Sequence, residues 1–227
     1  MVRDLDTLRP ETVFLDGPAG RLAATWERPA CEPVAGVLLL HPHPLHGGTR
    51  RNNVVRYGAL GALEACAGAL RLDFRGAGDS EGHYDEGRGE IEDAACALRW
   101  LRERLPDLPL FVWGFSFGSR VGLHLASRPE AGVEGWLGVA CPSAIYPWPE
   151  LQDWPQRMAL LAGTRDDFVD FERYAPALER GAALHRVEGA NHFFQGLLPE
   201  VRAWTARTLR SWLGTEDAPL PGVAASE

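Results

Sequence analysis

The run Gly36-Val37-Leu38-Leu39-Leu40 carries no polar alternation at all. A strand with one face in water alternates with period two. A strand that is apolar at every position must be covered on both faces, which is the situation inside a parallel sheet. Leu110 to Phe115 and Met158 to Ala162 repeat the pattern, and segments of helical character separate them. Parallel neighbours need long crossovers, and these are right-handed. The pattern therefore predicts an α/β architecture built on a mostly parallel, doubly wound sheet.

The rest of the chain fits that frame. Thr12 to Leu15 and Leu22 to Trp26 flank the turn Asp16-Gly17-Pro18-Ala19-Gly20 and read as an N-terminal antiparallel hairpin. Further strands are expected at 69–74, 133–140 and 183–187. Helices are expected at 53–67, 89–105, 117–127, 171–180 and 197–213. The helix at 89–105 has Ile91, Ala94, Ala95, Leu98, Leu101 and Leu105 on one stripe, with Glu90, Glu92 and Asp93 in its first turn facing the positive end of the dipole. Nothing between 12 and 213 reads as a linker or an internal repeat. One domain over 1–213 is expected, with 214–227 as a polar tail and no separate lid domain. The proline-rich stretch 142–156 is too short to form one.

Composition excludes several chemistries. Lys+Arg is 23 and no residue is lysine, so every one is arginine. Schiff-base, P-loop lysine and Ser-Lys mechanisms are therefore closed to this chain. A net charge of −8 argues against nucleic acid as a partner. No apolar run reaches the length of a membrane span, and residues 1–10 lack a signal-peptide core. Cys31, Cys66, Cys96 and Cys141 show no CxxC spacing and read as small core residues in a reducing compartment. A cytoplasmic location is expected on that basis. His41, His43 and His46 invite a metal reading, but Pro42 and Pro44 should keep the segment extended and splay the rings. No metal is expected.

The chemistry concentrates where strands end. Gly114-Phe115-Ser116-Phe117-Gly118 fits G-x-S-x-G, between an apolar strand and a helix. A strand that turns directly into a helix passes through a tight, strained residue, and the positions two before and two after it have no room for side chains. Ser116 then stands at a helix N-terminus as a candidate nucleophile. A serine needs a base, and His192, in the loop Gly189 to Phe194, is the best placed of the 7 histidines. His124 and His185 fall inside predicted elements, and His83 lies in a polar loop. The base needs a carboxylate to orient it. Asp166, just past the strand 158–162, is favoured, with Asp167 its immediate competitor. Two backbone N–H groups are needed for an oxyanion. Phe117 should supply one. Pro42 and Pro44 have none to give, which leaves His43 as the other donor and Leu45 as second choice. Tyr146, Trp148, Trp154 and Phe193 are candidate substrate-pocket residues. Arg50, Arg51 and Arg75 lie at the same sheet edge, where they could meet an anionic group or simply face solvent.

These segments together resemble the α/β-hydrolase superfamily, nearest to its small, lidless, dienelactone-hydrolase-like bacterial branch. The resemblance is carried by His41-Pro42-His43-Pro44 through Gly47-Gly48-Thr49 with Asn52-Asn53, by Asp73-Phe74-Arg75-Gly76-Ala77-Gly78 with Ser80, by the turn at Ser116, by Gly163-x-x-Asp166 and by Asn191-His192-Phe193-Phe194. It covers residues 36–213 in the expected order, and its Gly-x-x-Asp pattern supports Asp166 over Asp167. Dienelactone hydrolases proper use a cysteine nucleophile, so their particular substrate is not implied where Ser116 stands. The resemblance implies hydrolysis of a small-molecule ester, without a cofactor, through Ser116, His192 and Asp166. Thioester cleavage and acyl transfer would use the same residues, and a non-catalytic binding role is the remaining reading.

Overall fold

The computed structural model of the protein describes residues 10–216. Residues 1–9, and most of the tail expected at 214–227, lie outside that span. Eight strands form one sheet: β1 (Glu11–Gly17), β2 (Gly20–Glu27), β3 (Ala35–Leu40), β4 (Ala67–Leu72), β5 (Leu110–Phe115), β6 (Gly135–Val139), β7 (Met158–Gly163) and β8 (Ala183–Val187). Their spatial order is β1-β2-β4-β3-β5-β6-β7-β8. The hairpin β1–β2 joins antiparallel to β4, and every other pairing is parallel. The helices are α1 (Asn53–Glu64), α2 (Arg88–Arg104), α3 (Phe117–Ala126), α4 (Ala175–Leu178) and α5 (Leu198–Leu213). The mostly parallel sheet with an antiparallel N-terminal pair is the predicted fold.

The missing alternation in the central strands now has its cause. Leu38 and Leu40 point into one core, with α2 and α3, while Val37 and Leu39 point into a second core, with α1 and α5. Val112 sides with the first core and Phe111, Trp113 and Phe115 with the second. Each strand is apolar throughout because it feeds two cores, and each such side chain contributes about 2 kcal/mol on burial. Gly58 and Gly61 let α1 come close to its neighbours. A Cβ on Gly58 would strike the Trp113 ring at 2.6 Å, and one on Gly61 would meet α5.

Three expectations need correction. The helix expected over 171–180 is a single 3-10 turn, Glu172–Tyr174, followed by the one-turn α4, because Pro176 lacks the N–H to continue and Gly181 ends the segment. β4 begins at Ala67, not at 69, and leaves Asp73 and Phe74 in the loop that follows. Cys31 and Cys66 are joined by a disulfide, so two of the four cysteines are not free core residues. The bond clips the connection entering β3 to the turn entering β4, where Val34 N–H donates to Cys66 O at 2.9 Å. It removes the cysteine argument for a reducing compartment. Cys96 and the buried Cys141 keep free thiols. Among the described residues, no helix is long and apolar enough to cross a membrane.

Two predictions follow from this scaffold. The disulfide closes a loop spanning a sequence separation of 35, so the Cys31→Ser/Cys66→Ser protein should lose about 3–4 kcal/mol. Urea unfolding of oxidised and reduced wild type and of the double variant measures the loss. His41 is fully buried, with Nδ1–H donating to Pro42 O at 2.6 Å and Nε2 accepting from Phe74 N–H at 3.0 Å. Desolvation pushes its pKa from 6.5 to about 4. The unfolded chain therefore takes a proton that the folded chain refuses. Stability from this group is complete above pH 6.5 and falls by about 3 kcal/mol as pH drops to 4. His41→Gln keeps one donor and one acceptor but cannot titrate. Its stability should fall less over that pH window, as read by denaturation at pH 7 and pH 4.

Candidate active site

β5 runs straight into α3 through Ser116, whose backbone sits at φ 54° and ψ −119°. That conformation is strained for a residue with a Cβ and persists only where its surroundings dictate it. They do. Ser116 N–H is held by Val139 O of β6 at 2.9 Å. A Cβ on Gly118 would lie 2.5 Å from Leu40 O and 2.6 Å from His41 O, and one on Gly114 would run into the backbone of Gly118. The two glycines let the turn close against the carboxyl end of β3. The result lifts Ser116 Oγ clear of the sheet, at the N-terminus of α3 where the helix dipole is positive.

His192 reaches this hydroxyl from the far side. Gly163 ends β7 with its α-carbon against Ala190, so no side chain separates the β7 and β8 loops. Arg165 N–H donates to Ala190 O, and Gly189 N–H to Thr164 Oγ1, each at 2.9 Å. The two loops are thereby sewn together. Ser116 Oγ–H then donates to His192 Nε2 at 3.0 Å. His192 Nδ1 lies 2.8 and 3.0 Å from the two carboxylate oxygens of Asp166. A carboxylate can only accept, so Nδ1 carries the proton and Nε2 is left as the acceptor for serine. Asp166 is buried and also accepts Phe168 N–H through Oδ1 at 2.9 Å, whereas Asp167 is exposed. The fold separates two carboxylates that the sequence leaves adjacent.

The loop after β3 faces Ser116 from the other direction. Leu45 N–H is taken by His43 Nδ1 at 3.2 Å, so it is not free to meet an anion. Pro44–His46 forms a 3-10 turn, so the segment is not extended as expected. The His43 and His46 rings meet at 4.7 Å, while His41 turns into the core with both nitrogens committed to backbone. Burial and the neighbouring His46 lower the His43 pKa. Its ring also packs on Tyr84 and Phe117. Tyr84 comes from the loop between β4 and α2, and no sequence pattern marks it.

Arg50 and Arg75, which the sequence leaves open between meeting an anion and facing solvent, have other partners. Arg50 is buried, pairs with Asp73, and donates to Asp79 Oδ2 at 2.7 Å and to Thr25 Oγ1 at 3.1 Å. Arg75 grips Asp93 with Nε at 2.9 Å and a terminal nitrogen at 2.7 Å. Exposed Arg51 also reaches Asp79 at 2.7 Å. Arg50 and Arg75 are neither anion receptors nor solvated residues but internal braces. Of the predicted pocket residues, Tyr146 and Trp148 line a cavity of about 30 Å³ with Ser119, Leu123 and Cys141. Trp148 is also anchored in the core against Trp136 and Tyr174. Trp154 does not border that cavity. It stacks on Trp148 at 6.1 Å under the Arg180 guanidinium. Phe193 stands apart, beside His192.

A sequence model of the alpha/beta hydrolase fold matches residues 63–161. The uncharacterized protein RP471 of Rickettsia prowazekii is 30% identical over 196 residues, covering 81% of this chain and 82% of that protein. The crystal structure of XC6422 from Xanthomonas campestris, described as a serine hydrolase without lid, superposes with a TM-score of 0.83. It is 27% identical and covers 95% of this chain and 97% of that one. A shorter segment of 88 residues is 39% identical to the lysophosphatidylserine lipase ABHD12 of Danio rerio. That match takes in 37% of this chain but only 22% of the lipase. The chain belongs to the α/β-hydrolase superfamily, and its resemblance to solved serine hydrolases supports hydrolase activity.

The two acidic neighbours give a direct test of the geometry. Asp166→Asn should leave a folded protein whose imidazole takes the wrong tautomer, with turnover reduced about 10⁴-fold. Asp167→Asn should fall within about twofold of wild type. Steady-state rates of the two variants, on whichever substrate wild type hydrolyses, decide it.

Proposed function

We propose that the protein is a serine hydrolase that cleaves carboxylic esters of small, apolar substrates through an acyl-enzyme. The observation that carries this reading is the continuous hydrogen-bonded line from Ser116 Oγ through His192 to Asp166, at 3.0 and 2.8 Å. Ser116 Oγ attacks the ester carbonyl as His192 Nε2 takes its proton. Asp166 holds the imidazole in register and stabilises the imidazolium that forms. The negative charge that develops on the carbonyl oxygen is received by the backbone N–H groups of Phe117 and His43. One such donor contributes about 3–4 kcal/mol to lowering a barrier of this kind. Collapse of the intermediate expels the alcohol, which takes a proton from His192. Water, activated by the same histidine, then releases the acid. No step asks for a cofactor, and in a chain without lysine histidine is the natural base.

The test is covalent. A fluorophosphonate probe should label the wild-type protein on Ser116, and Ser116→Ala should neither be labelled nor turn over aryl esters, with a rate loss of about 10⁶. Full esterase activity in Ser116→Ala would remove the assignment. A folded wild-type protein that resists labelling would favour a binding role.

A further inference from the structure

His192 is ringed by apolar side chains that the reaction itself does not use. Phe115 lies beneath the imidazole with centroids 5.1 Å apart, as a buried core residue. Phe168 and Phe193 stand edge-on to it at 4.7 and 5.2 Å. These two are 41% and 48% exposed, an unusual state for phenylalanine beside a buried histidine. The backbone of each is held close to His192. Phe168 N–H donates to Asp166 Oδ1 at 2.9 Å, and Phe193 N–H to Asn191 Oδ1 at 3.2 Å, one residue either side of the histidine. The backbones that carry the two rings are thus tied into the same hydrogen-bonded unit as the imidazole. Ala144 N–H also donates to Phe168 O at 3.1 Å, so the loop after β6 is tied to the same unit.

The proposed reaction decides which half of an ester meets this unit. The tetrahedral carbon carries Ser116 Oγ, the oxyanion, the acyl chain and the leaving oxygen. The oxyanion is directed to the N–H groups of Phe117 and His43. When the intermediate collapses, the bond from carbon to the alcohol oxygen breaks and its electron pair stays on that oxygen. The proton that neutralises it comes from His192 Nε2, so that oxygen must lie within about 3 Å of Nε2. The alcohol's carbon chain then begins beside the imidazole, where the exposed faces of Phe168 and Phe193 lie. Resting on the hydrolase reading, we infer that Phe168 and Phe193 form a ledge for the leaving alcohol, and that the preferred substrates are esters of bulky apolar or aromatic alcohols.

The experiment compares two ester series by kcat/KM. In one, an acetyl group is joined to alcohols of matched acidity, from ethyl to 3-phenylpropyl. In the other, ethyl alcohol is joined to acyl groups of growing length. Wild type should prefer phenylpropyl over ethyl acetate by about tenfold, the gain from withdrawing roughly 60 Å² of apolar surface from water. Phe168→Ala and Phe193→Ala should collapse that ratio and leave the acyl-series ratio where it was, while Phe168→Leu and Phe193→Leu should hold the alcohol ratio up. Ratios are the readout because a general disturbance of His192 lowers every rate together. A flat alcohol series in wild type, an alcohol ratio that survives the alanine variants, or a collapse confined to the acyl series would each overturn the ledge. If no ester turns over and Ser116 resists fluorophosphonate, the hydrolase reading fails instead.

Discussion

Everything at the carboxyl edge of the sheet is arranged around one strained residue. Ser116 at φ 54° is paid for by its neighbours: Gly114 and Gly118 surrender their side chains, Leu40 and His41 bring their carbonyls against the turn, and Val139 holds its N–H. Strain of this kind is worth of order 1–3 kcal/mol and would relax if any support moved. The central strands cannot yield, because each is packed from both sides by a separate core. The unbroken apolar runs and the exposed serine are thus one design read at two levels. Strands buried on both faces provide the rigidity that holds a high-energy turn in place.

The loop after β3 packs against this turn through the rings of His43 and Phe117. Its two ends are fixed by different means. At its start His41 is locked between Pro42 O and Phe74 N–H. At its end Arg50 is buried against Asp73, which also accepts the Arg50 N–H at 2.6 Å, while Ser80 Oγ donates to Asp73 O at 2.8 Å and accepts Ala23 N–H at 2.9 Å. A buried ion pair of this kind is weak evidence of added stability, because desolvation offsets the attraction. Its value lies in direction. The planar guanidinium satisfies three separate acceptors in a fixed fork, and a point-charge ammonium could not. The all-arginine composition is used structurally here.

How much of this was legible follows from the range of the forces involved. The turn at Ser116 was visible because its steric requirement is local: two glycines at fixed offsets. His192 was visible because a loop between the last strand and last helix must lie at the same edge. Asp166 could be favoured over Asp167 but not separated from it by local pattern, since the separation comes from the close approach of Gly163 to Ala190 across two strands. The Cys31–Cys66 bond was missed for the same reason. Its partners are 35 residues apart and meet only because β3 and β4 are parallel neighbours entered from the same end. Arg50 and Arg75 were misread because a charged residue in a loop is ordinarily solvated. Only the three-dimensional placement of Asp73 and Asp93 makes them braces.

The two ends of the sheet are consequently held in opposite ways. At the amino ends of β3 and β4 a covalent bond restricts the unfolded chain and carries no chemistry. At the carboxyl ends nothing is covalent, and position is set by hydrogen bonds that each serve two masters. Asp166 orients His192 and also holds Phe168, and Asn191 holds both Phe193 and Gln195. Shared acceptors couple the placement of the base to that of the apolar rings around it. Loss of the Asp166 carboxylate would therefore release both the imidazole and the Phe168 backbone at once.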